Sequence, residues 1–153
     1  MAHASHRAGR PAARGGRPNA LFVVAGIESP PPELVGRADL VTVLFPWGSL
    51  LRGMLGLEPR AMAGLASLVG PGGVIDGLVS VEPRDGRHAQ LSGLVVDEAR
   101  LSEAWAAFGL GLDELRPAES AEVAASGSSW ARRLRATSAD GRRVTRLRLS
   151  RLP

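Results

Sequence analysis

The side chains here that could do chemistry are two tryptophans set among small residues and prolines, one glutamate past a strand end, and clustered arginines. Trp47 stands in Phe45-Pro46-Trp47-Gly48, directly after the apolar residues Leu40, Val41, Val43, Leu44 and Phe45. That run lacks polar alternation, as in a strand buried on both faces of a parallel sheet. Pro46 cannot donate into a sheet ladder and Gly48 permits a sharp change of direction, so Trp47 is expected at the strand's carboxyl end. Open α/β sheets bind ligands at that edge. Trp130 follows the small, flexible run Ser126-Gly127-Ser128-Ser129, and neither a helical nor a strand period presents it as core. On the residues alone, an anchoring role for Trp130 stays equally open.

Glu28 follows the apolar run Ala20 to Ala25, bounded by Pro18-Asn19 and Gly26, which reads as a short buried parallel strand. A carboxylate just past such a strand, beside apolar Ile27, can accept a hydrogen bond from an adenine amino group while the aliphatic neighbour packs on the ring. A solvated loop glutamate is the plainer alternative.

The charge distribution sets the third candidate. All nineteen basic residues are arginine. Residues 1–20 carry four arginines and no acid, residues 130–153 carry eight arginines and one acid, and residues 21–129 carry seven arginines against fourteen acids. A mildly acidic body with two basic ends is the footprint of a surface that meets nucleic acid, although a solvated basic strand produces the same count. The chain has no cysteine, which excludes disulfides and thiolate metal sites. His3, His6 and His88 have no metal-ligand spacing, so no metal is expected. No apolar run reaches the length of a membrane span and no secretory leader is recognisable, so a cytoplasmic protein without a membrane partner is expected.

Positioning these groups requires strands alternating with helices, the pattern of an α/β architecture. Residues 1–19 are basic and lack an apolar stripe, so the organised part runs over residues 20–153. After the central strand, residues 49–55 read as a short helix that Ser49 is placed to cap. Residues 58–70 read as a helix with Pro59 in its first turn and Met62, Leu65, Ala66 and Val69 on its buried face. Gly70-Pro71-Gly72-Gly73 reads as its terminator, and residues 74–81 as the next strand. Residues 83–87 read as a loop and 88–96 as an extended segment. Residues 97–108 read as a helix, with Asp97 at its start and Trp105 in the core, and residues 112–115 as a strand. Residues 117–125 suggest a small helix. Residues 144–152 alternate, with Thr145, Leu147 and Leu149 on one face and Arg146, Arg148 and Ser150 on the other, consistent with an edge strand whose outer surface is basic.

The stretch FPWGSLLRG from Phe45, taken with Ser128-Ser129-Trp130-Ala131-Arg132-Arg133-Leu134, resembles the aminoglycoside-resistance methyltransferases that modify N1 of adenine 1408 in 16S ribosomal RNA. The resemblance runs from about residue 5 to the C-terminus. It implies a Rossmann-like class I fold dependent on S-adenosyl-L-methionine (SAM). The family's first strand, the glycine-rich donor loop after it, and the second strand with its ribose-binding acid have no counterpart here. An N-terminally truncated fold, with donor binding weak or absent, is therefore expected.

The resemblance also implies roles. Trp47 and Trp130 would stack on the two faces of the extruded target base, with Ser128 positioning it. Ile27, Glu28, Phe45 and Ser49 would line the donor site. Arg132, Arg133, Arg135, Arg142 and Arg143 would contact the phosphate backbone of 16S rRNA in the small ribosomal subunit, the chain acting as a monomer. A non-catalytic, rRNA-binding remnant of the same fold is the alternative.

Overall fold

The structure, a computed structural model, describes residues 10–14, 16, 17, 19–81, 97–133 and 142–153. Among the described residues four strands form one sheet: β1 Ala38–Leu44, β2 Val69–Val79, β3 Leu110–Pro117 and β4 Thr145–Arg151. Their spatial order is β1-β2-β4-β3. β1 runs parallel to β2, while β4 is antiparallel to both of its neighbours. The helices are α1 Gly48–Met54, α2 Pro59–Leu68, α3 Glu98–Ala106, α4 Ser120–Ala125 and α5 Ser129–Arg133, with short 3₁₀ turns at Ala12–Arg14 and Pro32–Leu34.

The alternation of β2 decides which layer each helix joins. Ile75 and Val79 point to one side and pack with Leu51 and Met54 of α1, Met62, Leu65 and Ala66 of α2, and Leu101 and Trp105 of α3. Leu78 points to the other, where it packs with Phe45, Val123, Ala131 and Val144. The sheet is thus covered on both faces, and α4 and α5 lie on the second. Trp105 is fully buried, its ring edge-on to Phe108 at 6.4 Å. Asp97 caps α3 by accepting hydrogen bonds from the Ala99 and Arg100 N–H groups, as its position predicts.

The extents of α1, α2, α3 and the parallel pairing of β1 with β2 agree with the sequence pattern. Four local expectations fail. Residues 20–26 form no strand, and Leu21 is 83% and Val24 75% exposed. Among the described residues β1 has a neighbour on one side, and the apolar run does not pair with its other edge. Nor is β1 buried on both faces: Leu40 is 58% exposed. The glycine cluster does not terminate α2 in a loop. It lies within β2 as a bulge, where Ala38 faces Val69 and Leu40 faces Val74, five residues of β2 against two of β1. A Cβ on Gly73 would lie 2.6 Å from the Ala38 carbonyl oxygen, so the approach needs glycine there.

β4 is the fourth departure. It lies between β2 and β3, not at an edge, and its alternate face is not a basic outer surface. Leu147 and Leu149 are fully buried as expected. Arg146, however, pairs with Asp76, Glu114 and Glu122. Sequence alternation shows which residues share a face; it does not show that α4 covers that face. The expectations for residues 83–96 fall outside the described residues.

Candidate functional site at the carboxyl end of β1

Beyond Leu44 the chain leaves the sheet through an unusual backbone. Phe45 has φ 51°, in the left-handed region, while its N–H still donates to the Leu78 carbonyl at 2.8 Å. A bulky residue there costs about 1–3 kcal/mol and persists where the surroundings over-determine it. Here the surroundings are the second core cluster, which buries Phe45 to 4% exposure. The ring of Phe45, a residue expected to line the donor site, is packed into this core. The turn carries Trp47 outward in extended conformation as the residue before α1, 45% exposed. Gly48, with φ 60°, completes the reversal.

Trp130 arrives at the same cluster from the other end of the chain. Its neighbour Ala131 is buried against Phe45, Leu78, Val123 and Val144, while Trp130 itself is 46% exposed. The two exposed indoles therefore rise from backbones anchored in one buried cluster. Ser128 is half-buried two residues earlier, and its N–H donates to the Ser126 hydroxyl at 3.3 Å.

Each indole carries an arginine of this chain. The Arg133 guanidinium lies 5.5 Å from the Trp130 ring centre and that of Arg142 lies 6.0 Å from the Trp47 ring centre, both cation–π distances. Arg142 is 9% exposed, and its Nε donates to the Ser80 hydroxyl at 3.2 Å. Arg142, expected at the phosphate backbone, is packed beside Trp47 in this structure. Arg132, Arg133 and Arg143 are exposed. Arg135 lies outside the described residues.

The other candidates meet beside α1. Ile27, Glu28, Ser49 and Leu50, with Val23 and Pro30, line a cleft of about 440 Å³. Ser49 does not cap α1; the residue before the helix is Trp47, and no side chain caps it. Its hydroxyl instead donates to the Glu28 carboxylate. That bond, then the backbone N–H of Glu28, hold the carboxyl below its ordinary 4.5; partial burial opposes them and Arg60 adds a weaker attraction. The cleft is of small-ligand size, and a mostly apolar wall with one ionised carboxylate suits a flat heterocycle bearing an exocyclic amine.

One cluster escaped the sequence reading: Glu122 binds Arg116 and Arg146 on the second face of the sheet. Its signal was the spacing of Glu119 and Glu122, a reciprocal capping pair at the start of α4. Among the described residues no cluster of His, Cys, Asp and Glu could hold a metal, and no helix is long and apolar enough to cross a membrane.

A mixed sheet in which an antiparallel strand enters beside a parallel pair, with helices on both faces, is that of the class I SAM-dependent methyltransferases. The crystal structure of the 16S rRNA methyltransferase KamB superposes with a TM-score of 0.84 at 32% identity, covering 100% of this chain and 72% of that one. A variant of the 16S rRNA (adenine(1408)-N(1))-methyltransferase from Catenulisporales acidiphilia with cosubstrate SAM gives 0.81 at 30% identity, covering 100% of this chain and 70% of that one. In sequence, the 16S rRNA (adenine(1408)-N(1))-methyltransferase of Streptoalloteichus hindustanus is 39% identical over 142 residues, 88% of this chain and 64% of the relative. An rRNA methyltransferase of Saccharopolyspora hirsuta is 40% identical over 132 residues, 81% of this chain and 82% of the relative.

Residues 1–148 match the family described as NpmA: 16S rRNA (adenine(1408)-N(1))-methyltransferase, and the chain belongs to that family. It spans about 64% of the length of the Streptoalloteichus relative.

Proposed function

We propose that this chain carries the base-holding part of an enzyme that methylates N1 of adenine 1408 in the 16S rRNA of the small ribosomal subunit, with aminoglycoside resistance as the consequence. Residues 20–153 are the C-terminal two-thirds of its domain, acting as a monomer in the cytoplasm, where the ribosome is. The observation that carries this reading is the pair of half-exposed indoles, Trp47 and Trp130, rooted in one buried cluster.

Base N1 is shielded in a stacked helix, so the nucleotide must leave the stack before it can react. Each base–aromatic stack returns about 1–3 kcal/mol toward that cost. With an arginine over each ring, each indole keeps one face for the base. SAM, when bound, supplies an electrophilic methyl group on a sulfonium. The adenine N1 lone pair lies in the ring plane and needs no proton removed, so the residues required are those that orient the base. Tryptophans, Ser128 and backbone suit that task, and no histidine is needed. Arg132, Arg133 and Arg143 supply phosphate contacts, and Arg135 is assigned with them.

The Ile27, Glu28 and Ser49 cleft fits the adenine end of the donor, with Glu28 as acceptor for its amino group. The glycine-rich loop and ribose-binding acid of such sites have no counterpart in the sequence. The chain as given therefore binds SAM weakly or not at all, and calorimetry showing micromolar affinity would overturn this.

The rRNA reading is tested on small subunits with dimethyl sulfate, which modifies accessible adenine N1. The chain is expected to alter reactivity at adenine 1408, and Trp47→Ala or Trp130→Ala to abolish the effect. Unchanged reactivity at saturating protein would refute the assignment. The exposed run at Leu21 and Val24 and the edge of β1 that is open among the described residues favour the alternative, an rRNA-binding remnant without catalysis. Methyl transfer from SAM by this chain would exclude it.

A further inference from the structure

The helices that present Trp130 are too short to place it by themselves. α4 has six residues and α5 has five, below the length at which a helix offsets its own nucleation. Their position must come from tertiary anchors, and one carboxylate gathers most of them. Arg116 donates from Nη2 and Nη1 to Oε1 and Oε2 of Glu122 at 2.6 and 2.8 Å. Arg146 Nη1 donates to the same Oε1. Arg146 also reaches Asp76 at 3.2 Å and Glu114 at 3.4 Å. Arg116 and Arg146 face each other in register on β3 and β4, and Asp76 lies on β2. One side chain of α4 is thereby tied to three adjacent strands. An isolated exposed ion pair would be worth little, but a half-buried bidentate network fixes geometry.

The path from Glu122 to Trp130 is continuous. Glu122 Oε2 accepts the Glu119 N–H at 2.8 Å, fixing the start of α4. Val123, the next residue, is 1% exposed in the cluster with Phe45 and Ala131. The Ser126 hydroxyl donates to the Val123 carbonyl at 2.6 Å and accepts the Ser128 N–H at 3.3 Å. Trp130 follows in α5.

We propose that Glu122 is a positioning residue for the target base: by locking α4 to Arg116 and Arg146 it determines where Ser128 and Trp130 stand relative to Trp47. The proposal rests on the base-holding reading above for its purpose, though not for its geometry.

The test uses Glu122→Gln, which keeps side-chain length and a capping oxygen but loses the charge that holds two guanidinium groups. In a Trp47→Phe background the exposed indole is Trp130, because Trp105 is fully buried. Iodide quenching of that indole is expected to change in Glu122→Gln with the thermal transition of the core retained, and to return toward the parent value in Glu122→Asp. Unchanged quenching overturns the proposal. Should Glu122→Gln fail to fold, Arg116→Gln removes the bidentate guanidinium while Arg146 keeps one bond to Glu122, and a smaller quenching change is required; no change overturns the proposal.

Binding of small-subunit RNA gives the second arm. Glu122→Gln raises the net charge by one, so bulk electrostatics alone predicts tighter binding. Misplacing one stacking indole predicts affinity weaker by about 5- to 150-fold. Equal or tighter binding overturns the positioning role. A parent chain that does not bind the RNA sinks the base-holding reading instead, and the quenching arm still decides the geometry.

Discussion

Replacing Gly64 by alanine should undock the Glu28 side of the cleft without unfolding the protein. Gly64 is buried on α2, and a Cβ there would lie 1.7 Å from the Ile27 carbonyl oxygen and 2.8 Å from its carbonyl carbon. An ordinary carbon–oxygen contact is about 3.3 Å, so the Ile27 carbonyl must retreat by about 1.6 Å. α2 cannot move instead, because Met62, Leu65 and Ala66 hold it in the main core. Overpacking costs about 1–3 kcal/mol, while alanine in a helix interior returns about 1 kcal/mol relative to glycine. The net effect on global stability is then at most about 2 kcal/mol. Locally, displacement of Ile27 pulls Glu28 from Ser49 and releases the turn closed by the Ser29 N–H on the Gly26 carbonyl at 3.2 Å. Hydrogen exchange read by mass spectrometry on peptides spanning residues 20–35 checks this. Exchange should accelerate there and stay unchanged in peptides of α2 and β2. Unaltered protection of residues 26–29 would refute the close-packing argument.

Other outcomes follow from the same contacts. Trp105→Ala, which empties a fully buried site in the main core, should cost about 3–5 kcal/mol in denaturant unfolding. Arg132→Glu with Arg133→Glu should abolish the salt-dependent gel shift of small-subunit RNA, since both guanidinium groups are exposed on α5 and the second also stacks on Trp130. Glu122 has its carboxyl held well below the ordinary 4.5, first by Arg116 and then by the Glu119 N–H, with Arg146 adding to them. A lowered folded value means that its stabilising effect is complete above about pH 4.5 and is lost as pH falls further toward that value. Melting temperature measured from pH 7 to pH 3 should therefore drop less in Glu122→Gln than in the parent chain.

What the sequence conveyed, and what it withheld, divides along physical lines. Helical periodicity and caps are local, so α2 and α3 emerged with their buried faces and with Trp105 as core. The motif around Trp47 was legible because proline and glycine restrict backbone directly. The position of β4 was not, because alternation looks the same for a central strand and an edge one; its alternate face lies beneath α4, whose Glu122 comes 24 residues earlier. The burial of Arg142 was not legible for a related reason: an arginine beside a basic run looks solvent-facing until Ser80, 62 residues away, and the Trp47 ring close over it. Leu21 and Val24 read as a buried strand because apolar content reports what a segment could bury, not whether a neighbour is there to receive it.

The central claim is that Trp47 and Trp130 hold one nucleobase together, and a double-mutant cycle on small-subunit RNA binding tests it most directly. Trp47→Ala, Trp130→Ala and the double variant are compared at one fixed salt concentration. Each single change should cost about 1–3 kcal/mol, and the two should be coupled by at least about 0.5 kcal/mol, because a base that has lost one wall stacks poorly on the other. Strictly additive losses, or no loss from either change, would contradict the account.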